Sequence, residues 1–229
     1  MTTVNQNRQF QSATSVESDV WDLPVRLVHW LLVLCLVTLF VSVNIGWMSL
    51  HFYAGYALSA LLVFRLLWAL VGTTYARFSG FDLSLRRVVP TLRDLVAGRH
   101  QSPAGHNAAG SWMVLLLLLV LAVQVVSGLV YSDDVFWYGP WFFAAPEWAQ
   151  ALAARLHPRL PALILALAGT HIVAVLYHRL RLKEPLIGAM VHGRKPLAGA
   201  DRSAISRVWL VLSLLVTAVW SLWLVSLPI

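Results

Sequence analysis

The chain has 229 residues, of which 59% are hydrophobic and only 12% charged. A soluble domain is about 45–50% apolar and about 25% charged, so these charges are too few to coat a water-facing globule. That excludes an ordinary cytosolic enzyme, a disulfide-built secreted domain and a disordered chain, and leaves one membrane-embedded unit whose formal charge of +7 is first a question of topology.

Residues 1–19 (MTTVNQNRQFQSATSVESD) are poor in apolar side chains and read as a disordered cytoplasmic tail. Residues 20–229 form the expected membrane domain. A bilayer core needs about 20 mostly apolar residues, and five stretches qualify: 25–43, 52–72, 112–131, 158–177 and 208–227. Pro24 stands where a helix can begin without losing a hydrogen bond. The first span does not read as a cleavable signal, because its flank is not basic and no small-residue cleavage site follows it.

With the N-terminus inside, the inner segments hold 14 of the 17 basic residues. The positive-inside rule therefore predicts a cytoplasmic N-terminus and an outward C-terminus. Charge here sets orientation, and nucleic-acid binding is not expected. The outer loop between spans three and four carries six aromatic side chains from Phe136 to Phe143, with Trp148 beyond. Such a cluster serves as an interfacial belt or as a docking surface for a periplasmic protein.

The single cysteine, Cys35, rules out a cysteine-built cluster, and no CxxCH is present for covalent haem. Any metal chemistry then falls to the eight histidines. His100, His106 and His192 lie in polar inner loops and read as ordinary loop residues. His29 lies early in span one, His51 opens span two, and His157 and His171 belong to span four. On one helix, 14 residues of separation leave the last two on a shared face, within about 40° and roughly 21 Å apart. Depth sorts the four into an inner pair, His29 with His171, and an outer pair, His51 with His157. Two axial imidazoles on one iron is the arrangement of an electron-transferring b haem. His178 shares the face of His171 within about 20°, which keeps it open as a rival inner ligand. Arg65 lies about two turns inside span two, deep for snorkelling; a haem propionate is a natural counter-ion for it.

The runs VWDLPVRLVHWLL, HFYAGYALSALLVFRLLWALVGTTYARFSGF, GHNAAGSWMVLLLLL, DDVFWYGP, HPRLPALILALAGTHIVAVLYH and KEPLIGAMVHGRK extend from Val20 to Pro196. In these runs the chain resembles the bacterial di-haem cytochromes of the b561 type, which include membrane subunits of nickel–iron hydrogenases. The resemblance implies an all-α membrane bundle, with a four-helix haem-binding core and a fifth C-terminal span. It implies two non-covalent haems b ligated at His29, His51, His157 and His171, in the bacterial inner membrane. It also implies electron exchange between a periplasmic redox partner, a hydrogenase or c-type cytochrome, and a quinone; a homo-oligomer is left open. Two positions depart from the family pattern: Ala108 where proline is common after GHN, and Pro158 where glutamate usually follows the outer histidine. The rival readings are a membrane anchor with structural haems and a haem-free transporter with a histidine proton relay.

Overall fold

The computed structural model describes residues 17–99, 103–196 and 204–227. Five helices are long and apolar enough to cross a membrane: α1 (Leu23–Asn44), α2 (Met48–Val71), α4 (Ala108–Val130), α6 (Leu160–Leu180) and α8 (Arg207–Val225). Between them lie the shorter α3 (Leu85–Val96), α5 (Glu147–Leu156) and α7 (Leu186–His192), and two three-residue strands, β1 (Glu17–Asp19) and β2 (Arg194–Pro196). The chain is an all-α membrane bundle, as the sequence predicts. Most of the expected tail, residues 1–16, lies outside the described residues; its last three residues form β1.

Helix boundaries follow from caps and turns. The Asp22 carboxylate caps α1 by accepting from the Val25 N–H at 2.8 Å. At the far end the chain reverses through Gly46, whose φ of +73° suits glycine. The Asn107 side chain caps α4 by accepting from Gly110 N–H, and Pro161 stands in the first turn of α6, where its missing N–H costs nothing.

α2 is the centre of the bundle. It packs against α1, α8 and α4, and α4 in turn packs against α6, α5 and α3. Nine residues of α2 are buried, from Ala54 to Ala69, whereas α6 buries only Ile164 among its own. Lipid tails are as apolar as leucine, so close packing and interhelical hydrogen bonds hold such helices together. Trp220 Nε1 of α8 donating to Ser59 Oγ of α2 at 3.0 Å is one such bond. Neither α1 with α6 nor α2 with α6 is among the closely packed pairs. His29, His51 and His171 lie on these helices, and His157 just before α6.

The two ends of the bundle are built differently. At the basic end, where α1 starts, β1 and β2 pair antiparallel with Ser18 opposite Lys195. Val20 and Trp21 N–H donate to the Gly193 carbonyl at 2.8 and 3.1 Å. Gly193 has φ +89°, and a Cβ there would meet the Trp21 carbonyl at 2.7 Å, so the clasp requires glycine. Asp22 links α1 to the end of α2, its Oδ2 accepting from Trp68 Nε1 (2.8 Å) and Thr73 Oγ1 (2.7 Å). At the aromatic end, Asp133 Oδ1 accepts from the N–H groups of Val135, Phe136 and Trp137 at 2.8–3.0 Å. Phe136, Phe143 and Trp148 stand exposed there.

α3 is an element the sequence reading did not foresee. Leu85, Val89, Leu92 and Val96 form an exposed apolar stripe, Leu95 is buried, and Arg86 and Arg93 flank the stripe. This is the pattern of a helix lying in the membrane interface.

Candidate functional site

Depth along the bundle, and no direct helix packing, brings the four histidines together in two places. At the basic end the His29 ring of α1 and the His171 ring of α6 have centroids 6.4 Å apart. At the aromatic end the His51 ring of α2 and the His157 ring are also 6.4 Å apart, and perpendicular. Imidazole nitrogens bind metals at about 2 Å, so with the ring radii one shared iron sets two centroids about 6 Å apart. Both pairs fit that requirement. Among the described residues, no group of three or more His, Cys, Asp or Glu gathers to hold a bare metal ion. Two imidazoles facing each other suit a metal that brings its remaining ligands with it, as haem iron does.

His157 departs from the sequence reading in its local setting. It stands in a three-residue turn, residues 157–159, between α5 and α6 rather than on the α6 helix itself. The corner still aims the ring inward, because backbone dihedrals there stay close to helical (φ −55°, ψ −44°). Pro158 occupies the middle of the turn. The ring is held by α4: its Nδ1 lies 3.2 Å from the Gln124 carbonyl, to which it donates in the tautomer that leaves Nε2 free for a metal, with Gln124 Nε2 at 3.1 Å and Ser127 Oγ at 3.4 Å. Gln124 Nε2 donates back to the His157 carbonyl at 3.2 Å. The ring fits only because residue 128 is glycine, where a Cβ would meet His157 Cε1 at 2.7 Å.

His51 is fixed in the same manner, its Nδ1 donating to the Leu39 carbonyl of α1 at 3.2 Å. A metal-binding histidine characteristically gives its second N–H to a carbonyl, which sets the tautomer and leaves Nε2 as the ligand. The basic-end pair lacks such anchors. His29 Nδ1 is buried without a hydrogen-bond partner. It is the ring of His171, and not that of His178, that stands against His29; His178 Nδ1 lies 2.8 Å from Glu184 Oε2.

Room beside the rings is set by small residues. A Cβ at Gly169, two residues before His171, would meet nothing within 4 Å, and at Gly55 only Leu39 Cδ2 at 4.0 Å. Both helices therefore leave space near a histidine of these pairs, as a flat macrocycle would require.

Arg65 is buried at 7% exposure. Its Nη1 donates to the Ala76 carbonyl at 3.2 Å, and the guanidinium stands 6.0 Å from the Phe78 ring centre. The side chain is thus turned to the basic end, not to lipid. His106, read from sequence as a loop residue, packs between Trp21 and Phe81, with ring centroids at 4.7 and 5.2 Å. Burial first, then the charges of Arg65 and Lys195, hold its pKa down to about 3. The imidazole is neutral and the field around it positive. The sequence carried a signal for Gln124, a lone polar side chain in an apolar span, and for Asp22, an N-cap residue just before a proline. It carried none for Lys195.

Comparison with known proteins identifies the fold's relatives. The family described as prokaryotic cytochrome b561 matches residues 20–193. This chain belongs to that family. It is accordingly a membrane protein of a b-type cytochrome family. The probable Ni/Fe-hydrogenase 1 B-type cytochrome subunit of Escherichia coli (strain K12) is 28% identical over 159 residues, covering 55% of this chain and 65% of the relative. The protein of the same description from Escherichia coli O157:H7 matches equally. The chain thus spans slightly less than two thirds of those relatives. No solved structure matches.

Proposed function

We propose that this cytochrome carries electrons across the bacterial inner membrane through two b haems. One is ligated by His51 and His157 at the aromatic, periplasmic end, the other by His29 and His171 at the basic, cytoplasmic end. The observation that carries the reading is the repeated 6.4 Å approach of two imidazoles at opposite ends of one bundle. Bound haem supplies reversible one-electron chemistry at iron. The chain's residues do the rest. Each histidine pair would supply two imidazole ligands to its haem, leaving no coordination site open to oxygen. The Leu39 and Gln124 carbonyls orient the rings of the aromatic-end pair, and Arg65 offers a buried cation to a propionate at the basic end.

The basic inner segments support an N-terminus in the cytoplasm and a C-terminus in the periplasm. The exposed aromatic loop suits a periplasmic redox protein, a hydrogenase or a c-type cytochrome, and the electrons are exchanged with a quinone at the membrane. The test is a reduced-minus-oxidised spectrum with haem stoichiometry on purified wild type, His157→Ala and His171→Ala. Two b haems in the wild type and one in each variant are expected, with quinone-linked reoxidation. Wild type without haem would overturn the reading.

A further inference from the structure

Two cations are buried at the basic end. Arg65 is 7% exposed and Lys195 5%, and each donates a hydrogen bond to a backbone carbonyl: Arg65 to Ala76, Lys195 Nζ to Pro103 at 3.4 Å. Among the described residues neither has a carboxylate within ion-pair distance. Asp22 acts on Arg65, and Glu184 on Lys195, only through space. Both are engaged: Asp22 accepts from Val25, Trp68 and Thr73, and Glu184 lies against His178. Buried charges are normally paired.

Lys195 is placed by design of the strand, not by chance. Side chains alternate across a β-strand. Arg194 is thereby turned outward, where it pairs with Asp19 at 3.4 Å, and Lys195 inward opposite Ser18, itself buried. Ala76, whose carbonyl takes the Arg65 bond, packs in one buried cluster with Val20 and Trp21, which continue β1, and with Val28, the neighbour of His29, so the two charges share the neighbourhood of the basic-end imidazole pair. Other unpartnered buried polar atoms collect on the same end: Arg26 Nε, His29 Nδ1, Arg77 Nε and Trp112 Nε1.

We propose that Lys195, delivered by the β1–β2 clasp, joins Arg65 in binding the two carboxylates of the basic-end haem, making the clasp part of the cofactor site. This rests on the two-haem reading above. The required ligand chemistry is a carboxylate or phosphate pair, and a lipid headgroup is the competing source.

The experiment is a potentiometric titration of purified wild type, Lys195→Met, Lys195→Gln and Lys195→Arg, with the basic-end haem identified as the one missing from His171→Ala. Each protein is also stripped and reloaded with haem dimethyl ester, which has no free carboxylates. Removing a positive charge beside iron disfavours its reduced form. Lys195→Met and Lys195→Gln should therefore lower the reduced-to-oxidised ratio of the basic-end haem about tenfold at fixed potential, or about 59 mV for one electron. The aromatic-end haem should not move and Lys195→Arg should restore the value; retention of the basic-end haem, weaker in Lys195→Met and Lys195→Gln than in wild type, should become equal in all of them with the ester. Unchanged potentials, or equal shifts in both haems, would overturn the assignment. So would a difference that persists with the ester while bound phospholipid falls, which would assign the cations to a headgroup. A wild type lacking haem would instead fail at the earlier step, the cytochrome reading itself.

Discussion

The two histidine pairs have the same ring separation and opposite surroundings. At the aromatic end, carbonyls of neighbouring helices accept from the rings: Leu39 from His51, Gln124 from His157. At the basic end His29 Nδ1 has no such partner, while Arg65 and Lys195 are buried close by. A hydrogen bond from a ligand ring to a carbonyl makes it more basic and favours the oxidised metal, whereas nearby cations favour the reduced one. Both differences act in the same direction. On the two-haem proposal, one motif used twice in a single bundle is expected to form a graded pair, with the basic end the better electron acceptor.

The strongest way to break the symmetry is steric. Gly128→Val places a side chain where even a Cβ lies 2.7 Å from His157 Cε1. The ring must leave its position, so haem analysis should show one haem lost and the basic-end spectrum retained. If both haems stay, the tight seat of His157 is not what holds the aromatic-end cofactor.

Next in size is the hub of the basic end. Asp22→Ala removes the α1 cap and leaves Trp68 Nε1 buried without an acceptor, a loss of about 3 kcal/mol. Thermal unfolding in detergent should show a lower midpoint, and hydrogen exchange should rise in β1 and β2 before the aromatic loop.

The comparison itself is a smaller effect. In redox titration of the wild type the basic-end haem should be the more easily reduced by about tenfold, about 1.4 kcal/mol. A single shared midpoint, or the reverse order, would mean that ring hydrogen bonds and buried cations do not set the gradient.

The smallest effect belongs to the aromatic loop. The N–H groups of Trp137, Val135 and Phe136 hold the Asp133 carboxyl below its ordinary 3.8. A carboxylate depressed in the folded state stabilises above the unfolded value and loses that contribution as pH falls through the folded one. Amide exchange at residues 135–137 should therefore quicken below about pH 3.8. Asp133→Asn, which keeps the acceptor oxygen but cannot titrate, should exchange at a rate independent of pH-driven protonation once intrinsic chemistry is corrected.

The sequence by itself determined the spans, because apolar runs of bilayer length admit few alternatives to helix when every backbone group must be bonded internally. It also paired the four histidines by depth, since rise per residue converts position in a span into height in the membrane. It put His157 on the helix of span four, and only the fold shows the turn at 157–159, because corner geometry depends on what α4 offers the ring. Lys195 and His106 were illegible for a related reason: they lie in polar inner segments, where composition resembles solvent-exposed loop. Their burial comes from contacts far apart in sequence, Ser18 with Lys195 and Trp21 with His106. α3 was missed because its apolar arc is too short to register as a span. Helix period and hydropathy are local properties and were read along the chain; the partners of a buried charge are set by tertiary packing.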